Sequence, residues 1–535
     1  MTAAYHGEHR RYNRQGLLRL TEAVEKSGGR VSLVGAGPGD PKLITLAGVE
    51  RLRRADVIVT DALVSPQLLG HARPDALVID VGKRRGQHTV EQGEINDLLV
   101  AHAQAGRFVV RLKGGDPYIF GRGAEEAVYV ASRGIDVEIV PGVTSATAAP
   151  LAAGVPLTHR ELASTVTFVT GHEDPAKPDS AVDYDALARL VTRGGTLAFF
   201  MGMSRLAAIT ARLGGAGAAA DTPAAIVEWG ATPRQRSVRG TLANIADAAT
   251  KAGLTSPAII VVGPVAGLNE PGLDFFVRRP LFGQRIVITR TRQQASALRD
   301  RLEELGADVL EAPTIALVPP EDWSQVDDAL RHIADYDWLV LTSANGVEAV
   351  ASRLDALRMD ARNLAGVKVA VIGDATAAAA ATRLRLRADA IPDNYVAEAL
   401  ADELIKNHGV AGQRMLLLRA DIARPALPRL LTEAGAAVTE LTAYQTKLAD
   451  ALPDPVRDAL REGSVDWVTF MSSSTARNMV ELLGGERDLL KRTKLASIGP
   501  ITSQTIRALG FEPTVEAATS NMDGLIEAMI GVNAP

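Results

Sequence analysis

The chain has no cysteine among its 535 residues, which excludes disulfides, thiolate zinc sites, iron–sulfur clusters and cysteine nucleophiles. It has no apolar run of the ~20 residues a membrane helix requires. It also lacks a basic excess: a formal net charge of −5 gives no global reason to expect nucleic-acid binding. Residues 1–27 lack the apolar stretch and small-residue cleavage site of a secretory signal. Arg10, Arg11, Arg14 and Arg19 are frequent enough there to suggest organelle targeting, but Glu8, Glu22 and Glu25 count against it. The expectation is a mobile extension on a cytoplasmic protein that neither crosses a membrane nor binds nucleic acid. What is present is a composition 47% apolar and 23% charged, that of a globular chain. At this length one hydrophobic core does not suffice, and three or four domains are expected.

Short β-rich runs alternate with helical patterns throughout, so the fold class is α/β with largely parallel sheets. Arg30–Val34 reads as a strand entering a glycine turn. Asp40 then caps a helix with Pro41 at its first position, and Leu43, Leu46, Val49 and Leu52 recur at helical spacing. Val57–Thr60 is the next strand, which puts Asp61 at a strand's C-terminal end, where open α/β sheets bind ligands. A turn at Pro141-Gly142 joins two lobes, about 28–145 and 160–268. A break of turn and charge residues over 269–282 separates this module from a second one at 283–530, which opens on the strand Arg285–Thr289.

The second module carries an internal duplication. Asp337-Trp338-Leu339-Val340-Leu341-Thr342-Ser343 is echoed by Asp466-Trp467-Val468-Thr469-Phe470-Met471-Ser472, and Val371-Ile372-Gly373-Asp374-Ala375-Thr376 by Ser497-Ile498-Gly499-Pro500-Ile501-Thr502. Each copy predicts a strand ending in hydroxyl residues, a helix, and a second strand running into a glycine–threonine turn. Two similar lobes around a cleft follow.

In the first module, Gly35-Ala36-Gly37-Pro38-Gly39-Asp40 taken alone reads equally well as a tight strand-to-helix connection, and its spacing fails the dinucleotide fingerprint. Gly35 and Gly37 nonetheless allow a ligand to approach the backbone. The order of motifs is more informative: Asp61-Ala62-Leu63-Val64-Ser65, Val81-Gly82-Lys83-Arg84, Arg111-Leu112-Lys113-Gly114-Gly115-Asp116-Pro117, Val140-Pro141-Gly142-Val143-Thr144-Ser145, Pro156-Leu157-Thr158-His159-Arg160, Phe200-Met201-Gly202 and Val227-Glu228-Trp229-Gly230. Over residues 28–268 this order resembles the uroporphyrinogen-III C-methyltransferase family.

The resemblance implies a two-lobed tetrapyrrole methylase fold and S-adenosylmethionine as cofactor. It places the cofactor against Pro38, Gly114, Gly115, Asp116, Ile119, Thr144, Ser145, Met201, Gly230 and Ala258. It also implies Asp61 as proton acceptor, Lys83 as proton donor, and a homodimer formed through this module. Methyl transfer to an electron-rich pyrrole carbon demands mainly alignment, followed by loss of a proton from the cationic product. A substrate with eight carboxylates calls for cationic partners, and Lys83, Arg84, Arg85, Arg111, Lys113, Arg122 and Arg160 are the candidates, Arg160 having the strongest motif support. His159 and His172 have no acidic or cysteine partners at metal-ligand spacing, so no metal is expected.

Residues 280–530 resemble uroporphyrinogen-III synthase through Leu341-Thr342-Ser343-Ala344-Asn345-Gly346-Val347, the two glycine–threonine turns, Thr442-Ala443-Tyr444-Gln445-Thr446 and Phe470-Met471-Ser472-Ser473-Ser474, with Ser473 where proline is frequent. That family closes hydroxymethylbilane to uroporphyrinogen III with inversion of the last ring, and needs no cofactor. The match implies that Tyr444 assists hydroxyl departure, with packing beneath the sheet as its plainer role. Thr342, Ser343, Thr376, Ser472, Ser473 and Thr502 would line the cleft and bind substrate carboxylates, or cap helices. Together the modules imply synthesis of uroporphyrinogen III and its double methylation to precorrin-2, toward sirohaem and cobalamin. The dehydrogenase and ferrochelatase steps of related fusions are expected elsewhere. The rival readings are a methyltransferase for a later corrinoid, or a second module that only binds tetrapyrrole.

Overall fold

The computed structural model describes residues 29–82, 91–173, 181–289 and 292–533. The N-terminal extension, Lys83 and its neighbours Arg84 and Arg85 lie outside that set. Two compact units are present: one runs to Ile286 and takes in Leu298–Val309, and the other comprises Val287–Ala297 and Leu310–Ala528.

In the first unit, β1 (Arg30–Gly35), β2 (Val57–Thr60), β3 (Leu77–Asp80), β4 (Phe108–Lys113) and β5 (Asp136–Val140) form a wholly parallel sheet in the order β3-β2-β4-β1-β5. Its strands are apolar on both faces because both are covered. Val31, Leu33, Val57, Val59 and Val109 belong to one buried cluster, while Val34, Ile58, Val110 and Leu112 belong to the other. The single helix expected after Asp40 is two elements. Asp40 accepts from Lys42 N at 2.8 Å and caps only the short turn Pro41–Leu43; Thr45 then caps a separate helix, Leu46–Arg54, by accepting from Gly48 N. Leu46, counted toward the apolar stripe, is 86% exposed.

The second lobe is built of β6 (Val166–Thr170), β7 (Thr196–Phe200), β8 (Pro223–Glu228), β9 (Arg236–Thr241) and β10 (Ala258–Val262), in the order β6-β7-β10-β8-β9. Only β6 and β7 run parallel. The expectation of largely parallel sheets fails here because the short connection between β8 and β9 makes a hairpin, which forces antiparallel pairing. One face of the sheet (Ala198, Phe200, Ala225, Val227, Ile259, Val261) packs on Ala146 and Ala149 of the helix Ser145–Ala152, which follows directly from the first lobe.

In the second module the strands are β11 (Arg285–Ile288), β12 (Asp308–Glu311), β13 (Ile315–Val318), β14 (Trp338–Leu341), β15 (Lys368–Val371), β16 (Arg414–Ala420), β17 (Ala437–Leu448), β18 (Trp467–Phe470), β19 (Lys494–Ser497) and β20 (Val515–Glu516). They form two five-stranded sheets, β12-β11-β18-β19-β20 and β13-β17-β16-β14-β15. The duplication appears in register. Trp338 lies opposite Lys368 and Trp467 opposite Lys494; each indole is fully buried with that lysine's ammonium 5.2 and 5.1 Å from its ring centre. One lobe is discontinuous, since its sheet takes β11 and β12 from the module's start and β18 to β20 from its end. Buried threonines stitch the two parts: Thr289 Oγ1 donates to Thr469 O at 2.8 Å, and Thr469 Oγ1 to Val287 O at 3.3 Å.

Candidate functional site

Three strand ends meet at the C-terminal edge of the first unit's parallel sheet. A Cβ on Gly35 would lie 2.5 Å from Gly142 N, and one on Gly142 would lie 2.3 Å from Gly115 O, so the backbones after β1, β4 and β5 close up only as glycines. Gly37 and Gly115 also exchange backbone hydrogen bonds of 3.2 and 3.0 Å. Gly114 differs, because a Cβ there would meet nothing nearer than Leu63 Cβ at 3.5 Å, an ordinary contact. The fold does not require glycine at that position, so the backbone there is left open to its surroundings.

Asp61 follows β2 and stands beside this edge. Its carboxylate receives Arg111 Nη2 at 2.5 Å and remains about one-third exposed. Arg111 was expected to face substrate, but its side chain is 2% exposed. Beyond Asp61 it donates to Val59 O, Leu112 O and Glu126 Oε1. Its guanidinium is consumed beneath the site, where it holds Asp61 in place. Glu126, fully buried on the helix Gly123–Ala131, also accepts from Lys113 Nζ at 3.0 Å and Gln92 Nε2 at 2.9 Å, and its Oε2 has no partner. Burial, reinforced by Arg111, pushes the Lys113 ammonium below its usual pKa. Glu126 was missed in the sequence, although the signal was there: Arg111 and Lys113 point to one face of an otherwise apolar buried strand, and such charges need a buried counter-charge.

Asp116 was read as a cofactor acceptor. Its two oxygens accept from the backbone of Tyr118 at 2.8 Å and Gly142 at 3.0 Å, which fixes the turn before Thr144 and Ser145. Ile119 reaches across and packs on the second lobe's inner cluster, and the Phe120 ring lies 4.9 Å from that of Phe200. Pro38, Gly114, Thr144, Ser145, Gly230 and Ala258 are each half-buried, and Met201 is 48% exposed. Gly230 is dictated by packing, because a Cβ there would lie 2.1 Å from Ala149 Cβ. Phe120, Arg122, Met201, Trp229 and Ala231 all take φ between 47° and 59°, which costs non-glycine residues energy and concentrates at ligand sites. Arg160 is exposed and forms no ion pair with a described residue. Lys83 lies outside the described residues. The open room at Gly114 and the half-buried polar groups of Thr144 and Ser145 fit the polarity of S-adenosylmethionine.

In the second unit, Tyr444 sits where β17 passes from pairing with β16 (Tyr444 opposite Ala420) to pairing with β13 (Gln445 opposite Val318). Its ring packs on the lobe's core and its hydroxyl lies 3.0 Å from Ser343 Oγ. Ser343 follows Thr342 at the end of β14 and caps the helix Ala344–Ala356 by accepting from Gly346 N. In the other lobe, Ser472 caps the helix Ser473–Leu483, while Ser473 donates to Ile501 O and receives Thr505 Oγ1 at 2.9 Å. Thr376 and Thr502 are each only 4% exposed, one turn past Gly373 and Gly499. These hydroxyls therefore stand at the C-terminal edges of parallel strand pairs, and Ser343 and Ser472 are also helix caps.

Residues 30–246 match the tetrapyrrole (corrin/porphyrin) methylases, and residues 296–527 match uroporphyrinogen-III synthase HemD. A porphyrin biosynthesis protein HemD from Ruminiclostridium josui is 35% identical over 505 residues, 94% of this chain and 98% of that protein. An S-adenosyl-L-methionine-dependent uroporphyrinogen III methyltransferase from Methanosarcina barkeri is 48% identical over 253 residues, 46% of this chain and 98% of its own length. A solved uroporphyrin-III C-methyl transferase from Thermus thermophilus, complexed with S-adenyl homocysteine, is 40% identical and covers 44% of this chain and 98% of its own, with a TM-score of 0.38.

Proposed function

Because the chain belongs to the tetrapyrrole methylases through its first module and to the uroporphyrinogen-III synthases through its second, we propose that the two sites act in succession. The second closes hydroxymethylbilane to uroporphyrinogen III. The first methylates that product twice to give precorrin-2. The observation that carries the first activity is an arginine-held carboxylate, Asp61, beside a glycine that the surrounding protein leaves free.

S-adenosylmethionine, when bound, supplies an electrophilic sulfonium methyl group. The chain's own task is alignment: Gly114 and Gly115 admit the ligand to the backbone, Thr144, Ser145, Pro38, Gly230 and Ala258 wall it in, and Met201 and Ile119 give it an apolar side. Asp61, oriented by Arg111, accepts the proton that the methylated macrocycle must lose, and Lys83 supplies one. Arg160, exposed and free of acidic partners among the described residues, meets a substrate carboxylate. In the second module Tyr444 Oη donates to the departing hydroxyl, with Ser343 fixing the phenol. Thr342, Ser472 and Ser473 present hydroxyls to the substrate's carboxylates, and the helix starts that hold the buried Thr376 and Thr502 present backbone amides.

No helix of the described residues is long and apolar enough to cross a membrane. A cytoplasmic homodimer joined through the first module completes the reading, and sedimentation of the full chain checks the dimer.

The test is anaerobic incubation of the full chain with hydroxymethylbilane, with and without S-adenosylmethionine. Type III isomer without the cofactor and a doubly methylated product with it are expected. Type I isomer alone, with methylation restored only by added uroporphyrinogen III, would reduce the second module to a binding domain.

A further inference from the structure

The stretch 269–282 reads in sequence as a break between modules, yet two of its apolar residues are buried in the first unit. Phe276 is 6% exposed and Leu281 fully buried. The Phe276 ring fills a pocket walled by three alanines, Ala148, Ala152 and Ala231, with Leu43 and Val143 at its margin. Phe282 and Arg279 cover it, with the Phe282 ring centre 5.8 Å away and the guanidinium 4.3 Å from the ring centre.

Those pocket residues belong to three different cofactor-facing segments. Leu43 ends the loop that carries Pro38. Val143, Ala148 and Ala152 belong to the turn and helix that begin at Thr144 and Ser145. Ala231 follows Gly230 and shares the strained φ of Trp229. The segments already touch, since a Cβ on Gly39 would meet Ala231 O at 2.7 Å and Gly230 O at 2.8 Å. Gln235 joins Ala231 N to Ala152 O through its buried amide, at 2.9 and 3.0 Å.

The chain leading to Phe276 is clamped as well. Arg239 donates to Ala153 O and Gly154 O at the helix's C-terminal end, and to Ala266 O and Leu268 O before the stretch. Leu273 lies against Gly154, where a Cβ would come within 2.7 Å of its carbonyl oxygen. The helix that opens the cofactor site is therefore held at its far end by the segment running on to the second module.

We propose that Phe276 is a positioning residue of the cofactor cleft, and that the segment from Val265 to Phe282 is a brace fixing the three cofactor-facing segments in their binding geometry. The proposal rests on the reading of the first module as a binder of S-adenosylmethionine. Phe276 touches no ligand; it acts through the loop, helix and turn it joins. Loss of its ring leaves a void shared by all three, and a site loosened by about 1 Å binds poorly even when every contact residue is present.

The test is equilibrium binding of S-adenosylmethionine and S-adenosylhomocysteine to the full chain by titration calorimetry, alongside the melting temperature. Phe276→Ala is expected to weaken binding about tenfold, while Phe276→Leu, which refills most of the pocket, restores most of it. Leu213→Ala, a cavity in the second lobe's outer core, serves as the control for general destabilisation. Unchanged affinity in Phe276→Ala, or an equal loss in Leu213→Ala, overturns the proposal. If Phe276→Ala does not fold, Phe276→Leu against the same control decides, with a smaller loss expected and an unchanged affinity overturning the proposal. Failure of the unsubstituted chain to bind either compound would remove the underlying reading instead.

Discussion

Glu126→Gln removes the carboxylate that joins Arg111 to Lys113 and tests whether the buried cluster beneath Asp61 is balanced electrostatically. Asp61 and Glu126 carry two negative charges against the two positive charges of Arg111 and Lys113, linked at 2.5, 3.3 and 3.0 Å. Glutamine is isosteric, so packing is preserved. It leaves the set with a net positive charge and puts an amide N–H where Oε2 now has no partner. Removing one member of a buried ion pair costs about 3–5 kcal/mol. Asp61 still offsets Arg111, so the lower end applies. For a module of this size that predicts a melting temperature lower by about 6–12 °C.

The penalty should depend on pH. Lys113 already has a lowered pKa in the folded state, mainly through burial, while Glu126 pulls in the opposite direction. Without Glu126 it falls further. Between the folded pKa and the unfolded value of 10.5 the unfolded chain binds more protons, so stability gained from this group rises with pH across that window. In the variant the window opens at lower pH, and the gap to the unsubstituted chain should narrow as pH rises through it. Scanning calorimetry of the full chain between about pH 6 and about pH 10 reads both effects. A shift below about 1 °C, or a gap that stays constant with pH, would refute the charge-balance argument.

Asp61→Asn should retain S-adenosylmethionine binding while losing about 100-fold or more in methylation rate, the usual scale of general-base loss; undiminished turnover would remove its assigned role. Tyr444→Phe loses the contact with Ser343 Oγ, so type III isomer formation should slow while the second module loses only about 1 kcal/mol of stability. Full activity in isomer-resolving chromatography would assign Tyr444 to packing. Gly230→Ala drives a methyl group into Ala149, and the helix Ser145–Ala152 must shift at a cost of about 1–3 kcal/mol. Its melting temperature and cofactor affinity should fall together, and unchanged values in both would contradict the close approach.

What the sequence made legible was local. β2 occupies the residues expected of it, because its apolar run ends at Asp61. The duplicated Asp-Trp motifs open equivalent strands, because an indole buried on a parallel pair leaves the same imprint twice. Pairings distant along the chain left no such imprint. Nothing in the apolar run at β11 states that its neighbour is β18, across some 180 residues, and the threonine hydrogen bonds that join them involve residues unremarkable in sequence. Composition also misled at 269–282, where charge and turn residues hide two buried residues, Phe276 and Leu281, the first packed on alanines of remote segments. The same limit governs the site. Glycines after β1, β4 and β5 could be recognised from their motifs, but only the space around each separates those the backbone needs, Gly35 and Gly142, from Gly114, which it does not. Likewise Asp61 stands out in sequence, whereas Arg111 reads as a substrate arginine until its burial and its bonds to Asp61 and Glu126 turn it into a support for the Asp61 carboxylate. A motif identifies which side chains gather at a strand edge; the direction each one faces is set by tertiary partners, and that direction separates a residue that reacts from one that holds it in place.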